Sequence, residues 1–167
     1  MGSEMCIRDR NWPTEIGRFK IKRPIGKGGF GIVFLAHDPN LGRDIALKIP
    51  RPEVVTTPEL KSRFIREGRT SAALSHPNIV PVFESGQIES VCYLASQFVE
   101  GETLAEWQLN QSDDQKVTPQ VAAEITMTLA DAISHAHQRG ILHRDLKPAN
   151  VMPVSYTHLT LPTIYSV

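Results

Sequence analysis

The sequence predicts an α+β fold: a five-stranded antiparallel sheet carrying one main helix, followed by the first helices of a helical lobe. Three observations carry this expectation. Short β-rich runs separated by turn residues fill most of the first hundred positions. One charged, amphipathic stretch interrupts them. A long pattern of apolar residues at helical spacing then begins at Thr118.

The elements follow in order. Gly17 to Ile25 alternates apolar and polar residues (Phe19, Ile21, Ile25), as a half-buried strand does. A glycine-rich turn, Gly26-Lys27-Gly28-Gly29-Phe30-Gly31, leads into the β-rich run Ile32–Ala36. Asp38 to Gly42 reads as a second turn and Asp44–Ile49 as a third strand, which completes a meander. A helix is expected over about Pro58 to Leu74, stopped at His76-Pro77 because proline pushes its predecessor out of the α region. Ile79–Glu84 and Val91–Phe98 read as two further strands around the turn Ser85-Gly86. A short helix follows Gly101 through Trp107. Thr118-Pro119 opens the long helix, with the hydroxyl as N-cap and proline at the first helical position, and Gly140 ends it.

Composition narrows the function classes. In 167 residues, hydrophobic content of 41% and charged content of 22% suit a globular chain with a real core. Lys+Arg and Asp+Glu balance at 18 each, so neither nucleic acid nor an anionic membrane is indicated as partner. No apolar run reaches the ~20 residues of a membrane span. Two cysteines, Cys6 and Cys92, make neither a metal site nor a disulfide framework. A cytoplasmic location is the default, with an anchor in further sequence left open. His135 and His137, two residues apart, fall on different helix faces and have no Cys or His to complete a ligand set. Lys61, Arg63, Arg66 and Arg69 read as a solvated helix face.

Chemistry enters through three motifs. Gly26, Gly28 and Gly31 form G-x-G-x-x-G, which suits a plain hairpin turn or a loop whose backbone approaches phosphate oxygens. A dinucleotide fold would need a helix next, whereas Ile32-Val33-Phe34-Leu35 is a strand. Lys48, in Ile45-Ala46-Leu47-Lys48, either ends an edge strand or is a desolvated lysine that needs a partner. Glu67 is the candidate for that partner, or belongs to a solvated face. The third motif is His143-Arg144-Asp145-Leu146-Lys147-Pro148-Ala149-Asn150.

In this order and spacing the motifs resemble eukaryotic-type Ser/Thr protein kinases, with bacterial-looking wording, over nearly everything from Ile16 to Pro153. The resemblance implies a kinase-like fold, ATP and Mg²⁺ as cofactors, and protein Ser/Thr hydroxyls as acceptors. It implies that the glycine loop covers the phosphates with Phe30 at its tip. Ile25, Val33 and Ala46 would sandwich the base, and backbone groups of Gln97 and Val99 would bond its edge, with Ser96 at the gatekeeper position. Lys48 and Glu67 would anchor the nucleotide. Asp145 would take the acceptor's proton, Lys147 neutralise the γ-phosphoryl charge, Asn150 hold Mg²⁺, and Arg144 grip a phosphorylated loop. A pseudokinase or nucleotide-binding scaffold is the alternative, and a small-molecule kinase of the same fold is disfavoured by Leu146-Lys147-Pro148.

The termini are expected to be foreign. Met5-Cys6-Ile7-Arg8-Asp9 can be written ATG TGT ATA AGA GAC, whose reverse complement encodes Val154-Ser155-Tyr156-Thr157-His158. Such an inverted repeat resembles translated sequencing adapter, so residues 1–10 and 154–167 are set apart as leader and tail. Residues 16–99 are then the first lobe and hinge, and 100–153 the start of the second. Neither Asp-Phe-Gly nor Ala-Pro-Glu follows Asn150, so this polypeptide is expected to be poorly soluble and inactive on its own.

Overall fold

The computed structural model describes residues 12–110, 117–155 and 158–160. Residues 1–11, which include all of the leader in question, and much of the tail lie outside the described residues.

The main sheet has strands β1 (Glu15–Ile16), β2 (Phe19–Lys27), β3 (Gly31–Asp38), β4 (Arg43–Pro50), β5 (Val82–Ile88) and β6 (Val91–Gln97). Their order is β1-β2-β3-β4-β6-β5, antiparallel throughout. The expected five strands become six because Gly17 (φ 56°) turns Glu15–Ile16 back onto Phe19 and Lys20. The expected turn at Ser85-Gly86 lies inside β5 instead. There Gly86 makes room for the Tyr93 ring, since a Cβ would stand 3.0 Å from the Tyr93 hydroxyl. The chain reverses three residues later, at Glu89 (φ 53°).

Under this sheet Phe19, Ala36, Ile45, Leu47 and Ala95 are fully buried, each large side chain stabilising the fold by about 2 kcal/mol. Phe19 meets Tyr93 edge to face with centroids 5.2 Å apart. Arg18 closes the top of the sheet, donating to both carboxylate oxygens of buried Asp38 (3.1 and 3.0 Å) and to Glu84, which also accepts from the Tyr93 hydroxyl.

Helix α1 (Pro58–Ala72) starts at Thr57, whose hydroxyl accepts from the Leu60 N–H at 3.3 Å. Its buried residues Phe64, Gly68 and Ser71 share one face at helical spacing. Phe64 enters a second core with Val55, Val82, Cys92 and Leu94. Helices α2 (Leu104–Asn110) and α3 (Pro119–Gln138) follow, the latter capped by Thr118. They pack with Leu74, Ile79 and Val151 in a third core. A separate two-stranded ladder, β7 (Met152–Ser155) with β8 (His158–Thr160), falls largely in the tail.

Candidate functional site

A row of paired residues crosses the sheet. Gly26 on β2 faces Val33 on β3, Val33 faces Lys48 on β4, and Lys48 faces Leu94 on β6. Residues directly opposite one another share a sheet face, and so do residues two apart on a strand. Val33, Ala46, Lys48 and Ser96 therefore look the same way, and all four are half-buried. Ile25, half-buried near the end of β2, directly precedes Gly26 of that row.

The glycine loop closes as a hairpin, the Gly28 N–H donating to the Gly31 carbonyl at 3.0 Å. The Arg51 N–H holds the Phe30 carbonyl, also at 3.0 Å. Gly31 is glycine for a steric reason, because a Cβ there would overlap the Ile49 carbonyl oxygen. Gly28 and Gly29 have no such reason: a Cβ at either would meet nothing within 4 Å. Phe30 stands exposed at the tip.

The Lys48 ammonium is largely withdrawn from water. Burial pushes its pKa down to about 8, against an upward pull from the Asp145 carboxylate across the cleft. Glu67, half-buried on α1, receives a hydrogen bond from Arg63 Nε at 2.9 Å, an i, i+4 pair. The carboxylate expected to meet Lys48 is thus engaged by a neighbour on its own helix.

The segment after α3 supplies the second wall. The Asp145 N–H donates back to the His143 carbonyl at 2.8 Å, a tight turn that places Arg144 at φ 60°. A left-handed arginine costs about 1 kcal/mol. The turn presents the Asp145 carboxylate to Lys147 Nζ (2.9 Å) and to Asn150 Nδ2 (3.0 Å), and the same amide donates to the Asp145 carbonyl at 2.8 Å. The Lys147 hydrogen bond, aided by Asn150, holds the Asp145 carboxyl below the usual carboxylate range. Asn150 is buried in a 3-10 turn, Pro148–Asn150, and Val151 behind it receives the first N–H of α2 at 2.7 Å. Lys147 itself is exposed.

With Nδ2 committed to Asp145, the Asn150 amide oxygen is the end that can face a cation. Hard oxygen ligands of this kind suit Mg²⁺, which takes few protein ligands and completes its shell from phosphate and water. Asp145 and Asn150 fit that role in part. Among the described residues no cluster of three or more His, Cys, Asp or Glu could hold a metal by itself.

At the far edge, the Gln97 N–H donates to the Pro81 carbonyl at 2.9 Å. A donor to a ligand there would have to come from Val99, which is half-buried.

Sequence reasoning missed two further features. A cavity of about 190 Å³ lies between α1 and the 140–144 segment, lined by Arg66, Glu67, Ser71, Leu142 and Arg144 among others. Arg66, expected on a plain solvated face, borders it. His76 and His135 also meet, with ring centroids 4.9 Å apart, and His76 Nε2 bonds Asp131 at 3.1 Å. The only hint in sequence was the His-Pro-Asn helix stop.

Comparison with known proteins bears on the whole arrangement. The family model of the protein kinase domain matches residues 19–161. Serine/threonine-protein kinase PrkC of Bacillus subtilis is 39% identical over 136 residues, 81% of this chain and 20% of the relative. Serine/threonine-protein kinase PknJ of Mycobacterium tuberculosis is 40% identical over 134 residues, 80% of this chain and 22% of the relative. The crystal structure of the Mycobacterium tuberculosis PknI kinase domain superposes with a TM-score of 0.74 at 30% identity, covering 89% of this chain and 60% of that one. The chain thus spans about a fifth of the length of these curated relatives.

Proposed function

The chain belongs to the protein kinase domain family, with bacterial Ser/Thr kinases among its relatives, and from that premise we propose that it is the ATP-binding and catalytic-loop part of a protein Ser/Thr kinase. The observation that carries the reading is the meeting of two walls. The withdrawn Lys48 ammonium feels the Asp145 carboxylate, which Lys147 and Asn150 hold in place.

In this reading Ile25, Val33 and Ala46 flank the adenine, and the hinge around Gln97 and Val99 meets its edge. Gly26, Gly28 and Gly31 keep side chains out of the way of the phosphates, and Phe30 excludes water. Lys48, anchored by Glu67 once Arg63 releases it, binds the α/β-phosphates. The Asn150 amide oxygen would help hold Mg²⁺, which would supply charge neutralisation when bound. Asp145, kept ionised by Lys147 and Asn150, orients the acceptor Ser/Thr hydroxyl and takes up its proton as the γ-phosphoryl group moves in line. Lys147 then faces the developing phosphoryl charge. Phosphoryl transfer depends mainly on positioning, so each of these residues acts by where it holds charge.

Equilibrium binding of Mg-ATP tests the first half. The chain should bind it, and Lys48→Ala should weaken that binding about tenfold or more. Equal binding by both would remove the nucleotide reading. Transfer to a protein acceptor tests the second half. The 167-residue polypeptide alone should not exceed its Asp145→Ala variant, because no Asp-Phe-Gly aspartate is present to share the metal. Transfer well above that variant would overturn this expectation.

A further inference from the structure

Gly68 occupies the middle of α1, where glycine is unfavourable because it gives up the most conformational freedom on becoming helical. Its surroundings explain why it stands there. A Cβ at Gly68 would overlap the Ser85 Cβ on β5 and lie 2.5 Å from the Ser85 Oγ and 3.3 Å from Leu94 Cδ1. Ser85 is buried, and its hydroxyl donates to the Ile65 carbonyl of α1 at 2.8 Å. Helix and strand are therefore in backbone-close contact at one point and joined there by a hydrogen bond. The flanking residues on that face, Phe64 and Ser71, are buried on either side of it. The Ser71 hydroxyl has no hydrogen-bond partner, so Ser85 provides the polar link of this seam.

Glu67 directly precedes Gly68, about 100° around the helix from the seam. Turning or lifting α1 by the width of a methyl group would swing the Glu67 carboxylate along the cleft. Lys48, on the central strand β4, cannot follow.

We propose that Gly68 and Ser85 are positioning residues for the nucleotide anchor, a close-packed seat that fixes the depth and rotation of α1 and thereby aims Glu67 at the cleft. The proposal rests on the reading of Lys48 and Glu67 as that anchor. Neither residue touches the nucleotide; both act through Glu67.

The test is a four-part cycle in the full chain: wild type, Gly68→Ala, Ser85→Gly and the double variant. Two readouts are taken, Mg-ATP affinity and amide hydrogen exchange along α1. Gly68→Ala should weaken Mg-ATP binding about tenfold, the scale of a small misplacement of a binding group, and speed exchange over residues 64–72. The double variant should recover both to the level of Ser85→Gly alone, because the new methyl enters the space Ser85 vacates while the hydrogen bond to the Ile65 carbonyl stays lost. Should Gly68→Ala fail to fold, Ser85→Ala removes the hydrogen bond without adding bulk, and about a threefold loss of affinity is expected from it. Glu67→Gln separates the two layers of the argument. If it weakens binding while Gly68→Ala, folded and with faster exchange, does not, the seat exists but does not aim Glu67, and the proposal is overturned. If Glu67→Gln leaves affinity unchanged, the anchor reading fails and the positioning role fails with it. Unchanged exchange in Gly68→Ala would remove the seat itself.

Discussion

Phe19, Ala36, Ile45, Leu47 and Ala95 are wholly withdrawn from solvent in the sheet, whereas the 20-residue helix α3 buries only Ala132 and Ala136. The charges differ as well. The sheet pins Arg18 between Asp38 and Glu84, while the helical part leaves Leu109 85%, Met127 69% and Leu142 57% exposed. The sheet side closes its own core. The helical side, among the described residues, leaves several large apolar side chains uncovered. The candidate site draws Lys48 from the first and Asp145 from the second, so its geometry can be no more durable than the weaker of the two.

The sharpest way to break this contrast is at Asp38. Asp38→Ala leaves the Arg18 guanidinium without its bidentate partner and the Asn40 N–H without its acceptor. A loss of about 2–3 kcal/mol in unfolding free energy is expected, read as a lower urea midpoint. A loss below about 0.5 kcal/mol would mean that the sheet does not depend on its polar lid.

Lys48→Met should act in the opposite direction. At neutral pH the wild-type lysine is charged both folded and unfolded, so folding carries its desolvation. Methionine should therefore stabilise the chain by about 1 kcal/mol while weakening nucleotide binding about tenfold or more. The linkage has a definite sign. Because burial lowers the folded pKa from 10.5 to about 8, the unfolded chain binds more protons between those values. Wild-type stability should rise with pH across that window, and the Lys48→Met variant should lack the rise.

A smaller effect is expected where the helical side meets the loop after α1. Burial, helped by the nearby charge of Arg139 and the His76 ring and opposed by Asp131, lowers the His135 pKa below 6.5. Its contribution is present above that value and lost as pH falls below it. Urea midpoints at neutral pH and at about pH 5.5 should differ less in His135→Gln than in wild type. Least of all, Met127→Lys should change stability by no more than about 0.5 kcal/mol. It should nevertheless reduce self-association in sedimentation velocity, because it divides the exposed apolar face.

Legibility in the sequence followed the range of the forces involved. The strands Phe19–Lys27, Gly31–Asp38 and Arg43–Pro50 and both long helices could be read, since alternation, Thr-Pro caps and glycine turns act locally. So could the family, because its motifs are short and contiguous. The Ser85-Gly86 turn was misplaced for a tertiary reason: Gly86 serves the Tyr93 ring across the ladder, and Ser85 serves α1. The Arg63–Glu67 pair competed with a reading taken from motif order alone. The meeting of His76 with His135 joins residues far apart in the chain, beyond the reach of any local pattern.

Gly28 and Gly29 stand where added side chains would touch nothing, while Gly31 close by is locked under the Ile49 carbonyl. The loop is thus a cantilever with a clamped root and an unloaded end. Such an end tolerates a reporter: a small fluorophore on a cysteine at position 29 would leave the fold intact and sense what settles beneath it. Cys92 is buried, so with Cys6 replaced it would compete poorly for the label.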